Sequence, residues 1–306
     1  MGLTEITVTY NRPAVKGRKV WGGLVPHGEP WRAGANENTV VAFSTPVKVG
    51  NATLAAGRYG LHMIPGPSTW TVAFSRQSHL WGSYGYDPKE DAVRLAVTPV
   101  GTEPTERLAF TFDDPGEAGV TLSLRWERLR VPIPIGVDTK QVVVASLREQ
   151  LGGLHQFFAA SWIAAAGWCL KQEVNLDEAL TWTDRALAMR ESYPALSVKA
   201  GLLEKKGDQA GAQALRSRAL AVANEAEVNQ AGYELLARKK VDEAIALFQK
   251  NVQNHPGSWN AHDSLGEAFA LKGDKERAAF WYRKALEMVK QEEQRKRIQA
   301  ELAKLQ

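Results

Sequence analysis

The pattern of apolar and polar positions divides the chain into two halves with different periods. From residue 1 to about 131, apolar residues alternate with polar ones or gather in short runs, as in half-buried or buried β-strands. Gly, Pro and Asn punctuate these runs, and no long helical pattern separates them. Strands are predicted near residues 3–10, 40–43, 59–64, 70–74, 93–97, 108–112 and 120–126. Short strands at this spacing predict an antiparallel β-sandwich or a partly closed barrel.

The β pattern is predicted to end at residues 131–136, because Pro132 and Pro134 cannot continue a central strand. From Asp138 the apolar period becomes 3.6 residues, which predicts a joining helix. The fold class is therefore α+β in two domains. The predicted divisions are a β domain at 1–135, a linker and joining helix at 136–160, and a helical array at 161–306.

The helical half repeats itself with a period of 34 residues. Gly232 matches Gly266, and Ala244 matches Ala278, while two earlier copies fit with small shifts. This arrangement of small and large apolar residues resembles the tetratricopeptide (TPR) repeat family, whose helix pairs stack into a solenoid. The resemblance implies three to four repeats, a charged capping helix near residues 287–305, and a concave face that binds a protein or peptide partner.

Composition and charge exclude several classes of function. With 44% apolar and 24% charged residues, the 306-residue chain is typical of a globular protein with two domains. A net charge of +4 is too mild to indicate a nucleic-acid partner. The single cysteine, Cys169, excludes internal disulfides, and no His or carboxylate spacing suits a metal, so neither metal nor cofactor is predicted. No apolar run reaches the roughly 18 residues of a transmembrane segment.

Candidate chemistry concentrates in two loops of the β half, at residues 11–38 and 81–87. Arginine supplies fork-shaped donors for a carboxylate or phosphate, Asn and Glu can orient a ligand, and aromatic rings can stack on it. Long loops on a β scaffold often carry binding sites. The candidate ligand-binding residues are Arg12, Lys16, Arg18, Trp31, Arg32, Asn36, Glu37, Trp81 and Tyr84.

A purely structural interpretation of these loops stays open. In it, Arg32 pairs with Glu37, Asn36 bonds to the loop backbone, and the tryptophans cover the edge of the sandwich. Catalysis is a third interpretation, in which Glu37 forms an acid–base pair with His27 or His62. No Gly-x-Ser-x-Gly elbow is present, and catalytic residues are not assigned.

The same loops and their flanking strands carry five short motifs. They are Arg12-Pro13-x-x-Lys16-Gly17-Arg18, Gly23-Leu24-Val25-Pro26, Trp31-Arg32-x-Gly34-Ala35-Asn36-Glu37, Ala56-Gly57-x-Tyr59 and Trp81-Gly82-x-Tyr84-x-Tyr86-Asp87. These motifs resemble the bacterial domain-of-unknown-function family 2911 (DUF2911) over residues 3–135. The resemblance carries over no activity. Because members typically begin with a secretion signal, it implies export to the periplasm or cell envelope. The given sequence contains no signal peptide, and it opens inside a strand pattern, as expected if a leader has been removed.

Together these features favour a non-enzymatic binding or adaptor protein. Its β domain would bind a small anionic or glycan ligand, and its repeats a partner protein. Two other hypotheses stay open: a hydrolase or isomerase that acts on an acidic sugar or peptide with Glu37 as base, and a structural protein whose repeats self-associate.

Overall fold

The first half of the chain forms two antiparallel β-sheets. The computed structural model describes residues 1–305. Its strands are β1 (Ile6–Thr9), β2 (Thr39–Phe43), β3 (Val47–Val49), β4 (Ala52–Leu54), β5 (Gly57–Ile64), β6 (Trp70–Ser75), β7 (Asp91–Val97), β8 (Val100–Asp113) and β9 (Gly119–Gly136). One sheet has the order β1-β2-β5-β6-β7, and the other has the order β4-β3-β9-β8.

The core of this half lies between the two sheets. In β5, Leu61 and Met63 are fully buried and belong to one cluster with Leu122 and Leu124 of β9. Since alternate residues of a strand point to opposite faces, these side chains line the inner faces of the two sheets. No strand pairing within residues 1–305 joins one sheet to the other. The predicted antiparallel sandwich is confirmed, and it does not close into a barrel.

Strand β9 continues through the two prolines at which the sequence predicts the end of the β region. Its pairing with β8 reaches Arg130, and its pairing with β3 involves Ile135 and Gly136. The residues between, 131–134, are in register with neither neighbour, so the missing N–H groups of Pro132 and Pro134 remove no ladder hydrogen bond. The β region therefore ends at Gly136, inside the predicted segment, although the prolines do not end it, because proline is excluded only where a donor is required.

Helix α1 (Thr139–Gly152) follows β9 almost at once, within the segment predicted to hold a joining helix. Asp138 starts it, since its carboxylate accepts a hydrogen bond from the backbone N–H of Gln141 at 3.1 Å. The chain divides into two units at residue 150, which leaves nearly all of α1 in the first unit. Val142 and Val144 of this helix are buried.

The second unit, from Leu151 onward, is an array of helices. They are α2 (Ala159–Gln172), α3 (Leu176–Met189), α4 (Tyr193–Lys205), α5 (Gln209–Val222), α6 (Glu225–Ala237), α7 (Val241–Asn254), α8 (Trp259–Lys272), α9 (Lys275–Met288) and α10 (Glu292–Ala303). Within residues 1–305 the pairs α2/α3, α4/α5, α6/α7 and α8/α9 form four repeats. The last helix begins at Glu292, later than the predicted 287, because α9 extends to Met288.

The 34-residue period has a direct packing cause. A Cβ atom on Gly232 of α6 would lie 2.2 Å from the ring of Phe248 in α7. At the matching position, a Cβ on Gly266 of α8 would lie 2.9 Å from the ring of Tyr282 in α9. In both pairs a glycine of the first helix therefore makes room for an aromatic ring of the second, which confirms the predicted repeat. None of the helices described in residues 1–305 has the length and apolar character needed to cross a membrane.

Candidate functional site

A buried histidine lies on the outer face of the first sheet. Because Leu61 and Met63 face the core, His62 between them points outward, yet it is fully buried. It is covered by residues 76–87, termed here the covering loop, which connect β6 to the segment before β7. The hydroxyl Oγ of Ser83 lies 2.8 Å from His62 Nδ1. The ring of Tyr86 packs 4.7 Å from the imidazole, measured between centroids.

Arg32 lies next to His62 in the strand register. Its neighbour Trp31 exchanges two backbone hydrogen bonds with Met63, at 2.7 and 2.8 Å. The covering loop approaches Arg32 closely at Gly82, where a Cβ atom would lie 3.4 Å from Arg32 Nη1. Arg32 Nε is buried and has no hydrogen-bond partner among residues 1–305.

Two amide side chains lie on the same face. Asn38 is 4% exposed, and its Nδ2 donates to the backbone oxygen of Gln77 at 3.4 Å. Both side-chain oxygens, Asn38 Oδ1 and Gln77 Oε1, are buried without a partner in the described part of the chain. Gly60 in β5 leaves the space that they use, because a Cβ there would lie 2.3 Å from Asn38 Nδ2 and 2.4 Å from the Gln77 oxygen.

Burial also controls the charge of the histidine. Loss of hydration lowers the pKa of His62 to about 4, so its imidazole is neutral at physiological pH. Its Nε2 has no hydrogen-bond partner within residues 1–305. Buried polar atoms in folded proteins are nearly always paired. Arg32, Asn38, His62 and Gln77, termed here the polar cluster, hold four such unpaired atoms in one region, which marks a candidate site.

Four of the predicted ligand-binding residues belong to the segments around this cluster: Arg32, Glu37, Trp81 and Tyr84. Glu37 and Trp81 are partners in an isolated β-bridge. The side chains of Trp81 and Tyr84 are 62% and 88% exposed. The structure therefore brings part of the predicted set together around the covering loop, with Arg32 inside and the two aromatic rings at the surface.

Glu37 does not form the contacts expected of it. The ion pair with Arg32 is not found among residues 1–305, and the Glu37 carboxylate accepts a hydrogen bond from Asn11 Nδ2 at 3.1 Å. His62 bonds to Ser83 and not to Glu37. The described contacts thus give no acid–base pair centred on Glu37. Asn36, beside it, is exposed and has a positive φ of 58°, a conformation that asparagine tolerates well in loops.

The other predicted basic residues of the loop at residues 11–38 make their contacts away from the polar cluster. Arg12 Nε donates to the backbone oxygen of Leu108 in β8 at 2.9 Å, and the backbone N–H of Lys16 donates to Glu106 at 3.0 Å. Arg18 donates to backbone oxygens three and four residues before it. The guanidinium groups of Arg12 and Arg18 therefore hold the loop in place, and the described contacts do not join Arg12, Lys16 or Arg18 to Arg32.

Trp31 belongs to the core. It is 8% exposed, stacks on Trp126 with centroids 5.9 Å apart, and meets Trp21 edge-on at 5.7 Å. The prediction that Trp31 stacks on a ligand is wrong in this arrangement, because its ring is already covered by protein. The alternation of residues in a strand explains this, since Trp31 and Arg32 point to opposite faces.

A separate cavity of about 640 Å³ lies in the first unit beside α1. Its lining mixes apolar side chains such as Leu3 and Val142 with charged ones such as Lys48 and Glu149. None of the buried unpaired side-chain atoms in residues 1–305 belongs to this lining. The cavity therefore has room for a ligand without showing which one, whereas the polar cluster shows a defined hydrogen-bonding demand.

The repeat array presents a second candidate surface. The first helices of successive repeats contact each other, α2 with α4 and α6 with α8, and so line one side of the array, termed here the inner face. On α6, α8 and α10 two rows of residues recur 34 positions apart. They are Asn229, Asp263 and Arg297 in one row, and Tyr233, Glu267 and Glu301 in the other.

Hydrogen bonds connect these rows from repeat to repeat. Arg297 donates to Asp263, and Tyr233 Oη donates to Glu267 Oε2 at 2.8 Å. Burial raises the pKa of Asp263, while the nearby Arg297 acts in the opposite direction. Arg297 pairs with Asp263 and Lys304 pairs with Glu301 at 2.7 Å, so three carboxylates face two cations and Glu267 is the one without an ion pair among the described residues.

A comparison with protein-family profiles finds a match for the first half of the chain. Residues 1–135 match the profile of a family described as "Protein of unknown function (DUF2911)". None of the curated proteins matches the chain. The matching solved structures include pilF of Pseudomonas aeruginosa, with 19% identity over 49% of this chain and 68% of that one, at a TM-score of 0.34.

Two further structures have similar values. MamA from Desulfovibrio magneticus RS-1, residues 41 to the end, has 18% identity over 48% of this chain and 82% of its own, at a TM-score of 0.33. YrrB, described as a TPR protein with an unusual peptide-binding site, has 20% identity over 52% and 83%, at a TM-score of 0.33. The chain thus joins a domain that matches family DUF2911, at residues 1–135, to an array of tetratricopeptide-type helical repeats.

Proposed function

We propose that this chain is a non-enzymatic adaptor whose repeat array binds a cationic segment of a partner protein. The observation that carries the proposal is the excess of carboxylates on α8 and α10, where Asp263, Glu267 and Glu301 face two cations, Arg297 and Lys304. Arg297 neutralises one of these charges through its bond to Asp263. Lys304 pairs with Glu301 at 2.7 Å, so Glu267 keeps its charge for a partner.

The geometry also suggests the spacing of the partner's charges. Packed helices lie about 8–10 Å apart, and a peptide in the polyproline II conformation advances about 3.1 Å per residue with three residues per turn. Basic side chains three residues apart on such a peptide share one face and therefore match the spacing of neighbouring helices. A peptide of the form Lys-x-x-Lys-x-x-Lys fits better than one with three adjacent lysines.

Fluorescence anisotropy of labelled peptides with the full chain tests this proposal. The spaced lysine peptide should bind, more weakly as salt rises, and the matching glutamate peptide should not. The double variant Glu267→Gln and Glu301→Gln should weaken binding about 2- to 5-fold, as expected for the one uncompensated charge of Glu267 at about 0.5–1 kcal/mol. Asp242→Asn is the control, because Asp242 is an exposed carboxylate on α7, which is the second helix of its repeat. Equal binding of both peptides, or an unchanged double variant, would contradict the proposal.

A second part of the proposal concerns the β domain, which we suggest binds a small anionic or glycan ligand at the polar cluster. Its support is the buried, unpaired Nε of Arg32, since a guanidinium is a strong donor to carboxylate or phosphate. Thermal stability should rise with millimolar acetate or phosphate, and Arg32→Ala should abolish that rise. Arg128→Ala, at an exposed position, should retain it. If the Arg32 variant responds like the parent chain, the site assignment fails.

Export to the periplasm or cell envelope also remains a proposal. It rests on the resemblance of residues 1–135 to a family with secretion signals. Fractionation of bacteria that express the complete natural gene tests it, and a purely cytosolic pool would count against it.

A further inference from the structure

We infer that the polar cluster binds a small hydroxy-carboxylate, which is an anion that also carries a hydroxyl donor. This inference rests on the proposed anion-binding role of the β domain and names the chemistry of its ligand. The unpaired atoms of the cluster are of two kinds, and a ligand that satisfies both kinds must present both an anionic acceptor and a donor.

The first kind is a cationic donor. Arg32 Nε is buried and unpaired, and the described ion pairs of the chain do not include Arg32. A guanidinium with a buried, unpaired Nε favours an anionic acceptor, and the planar carboxylate matches the geometry of its N–H donors. A neutral polyol would leave this positive charge uncompensated, so hydroxyl groups alone do not suit the site.

The second kind is a pair of acceptors. Asn38 Nδ2 faces the backbone oxygen of Gln77, which can only accept, so Oδ1 is the buried amide atom that is left without a partner. Gln77 Oε1 is the second unpaired oxygen. A simple anion such as acetate has no donor for either atom at neutral pH. A hydroxyl group beside the carboxylate supplies one.

His62 adds a neutral contact rather than a second charge. With its pKa lowered to about 4, the imidazole of His62 is neutral, so only one of its two ring nitrogens carries a proton. Nδ1 lies against Ser83 Oγ, and Nε2 is the other nitrogen. When the Ser83 hydroxyl donates to Nδ1, Nε2–H is left as a donor to the ligand. The polar cluster therefore combines one positive charge, one neutral donor and two acceptors in one region of the β domain.

The covering loop limits the size of the ligand and its access. Gly82 approaches Arg32 so closely that a methyl group there would already contact Nη1. The four unpaired atoms are shielded from water, so ligand exchange requires the loop to lift from the sheet. Two contacts hold it down: the bond between His62 and Ser83, and the bond from the Asn38 backbone N–H to the Leu80 oxygen at 3.0 Å.

A matched set of three probes tests the inference on the ¹⁵N-labelled full chain by NMR titration. Glycolate has a carboxylate and a hydroxyl, acetate has only the carboxylate, and ethylene glycol has only hydroxyls. We expect glycolate to bind about 10-fold more tightly than acetate, and ethylene glycol to cause no saturable shifts. In Gln77→Ala or Asn38→Ala the advantage of glycolate should shrink toward the affinity of acetate. His79→Gln, exposed on the same loop, should leave it unchanged.

The outcomes separate this inference from the proposal on which it rests. If acetate binds as tightly as glycolate, and both depend on Arg32, the hydroxy-carboxylate class is overturned while anion binding stands. If no carboxylate and no phosphate binds, the cluster holds only water, and both proposals fail. If the advantage of glycolate survives in folded Gln77→Ala and Asn38→Ala variants, the ligand lies elsewhere and the site is overturned.

Discussion

Replacing Gly232 by alanine should destabilise the repeat array, although alanine is the better helix former. The added Cβ would lie 2.2, 2.4 and 2.8 Å from three ring atoms of Phe248, which is fully buried and has no free direction in which to move. Alanine in a helix interior gains about 0.5–1 kcal/mol over glycine. Overpacking of a filled core costs about 1–3 kcal/mol. Because the overlap involves three ring atoms, we expect a net loss of about 1–2 kcal/mol.

Gly167 provides a matched control at the same repeat position. A Cβ there would meet only Val198 Cγ2, at 3.8 Å, which is ordinary van der Waals contact. Gly167→Ala should therefore stabilise the protein by about 0.5–1 kcal/mol. Gly266→Ala, whose Cβ would lie 2.9 Å from Tyr282, should fall between the two. Thermal unfolding followed by circular dichroism at 222 nm should separate the Gly232 and Gly167 variants by about 4–8 °C.

The explanation depends on the ring of Phe248, and this can be tested directly. In the background Phe248→Leu, which removes the ring atoms nearest to the new methyl group, Gly232→Ala should be tolerated much better. The double-mutant cycle should give a favourable coupling of about 1–2 kcal/mol. Equal melting temperatures for the Gly232 and Gly167 variants, or a coupling energy near zero, would refute the packing argument.

Three further predictions follow from the structure. The pKa of His62 is about 4 in the folded chain and 6.5 in the unfolded chain, so the free energy of unfolding should fall by about 3 kcal/mol as the pH drops from 6.5 to 4. Urea unfolding at several pH values measures this fall, which should disappear in His62→Gln but not in His79→Gln. Asn224→Ala should lower the free energy of unfolding by about 1 kcal/mol, because Asn224 forms a capping box on α6. Ser192→Ala should lower it little, because Ser192 makes no side-chain cap bond on α4, and thermal melts compare the two variants. Gly60→Ala should cost about 1–3 kcal/mol in a thermal melt, because its Cβ would lie 2.4 Å from the Gln77 oxygen.

Most of the array could be predicted from the sequence because its contacts are local. Gly232 meets Phe248 only 16 positions later, and the same pair of positions recurs as Gly266 and Tyr282. Each repeat buries its apolar side against its neighbours, so a period in the sequence becomes a period in space. The error at the last helix has a local cause too, since the polar residues near 290 continue the charge pattern through a real break between α9 and α10.

The candidate site in the β domain was only partly predictable. The arginine-rich loop composition pointed to Arg32, Trp81 and Tyr84, but it also selected Arg12 and Arg18, whose guanidinium groups bond to backbone oxygens. Composition shows which donors a loop contains and not which of them remain unpaired after folding. That distinction depends on strand pairing between residues far apart in sequence, such as Trp31 with Met63.

The two candidate surfaces therefore differ in how far sequence alone determines them. On the inner face, Asn229, Asp263 and Arg297 share one position in the repeat, so their neighbourhood follows from counting 34 residues. In the β domain, Gln77 joins the polar cluster only because the covering loop folds back over β5, and no period or motif marks it. A substitution that changes the charge at Glu267 or Glu301 should accordingly indicate a change in the charge of the partner. Variation at Asn38 or Gln77 becomes interpretable only once the unpaired oxygens that these residues present to the cluster are known.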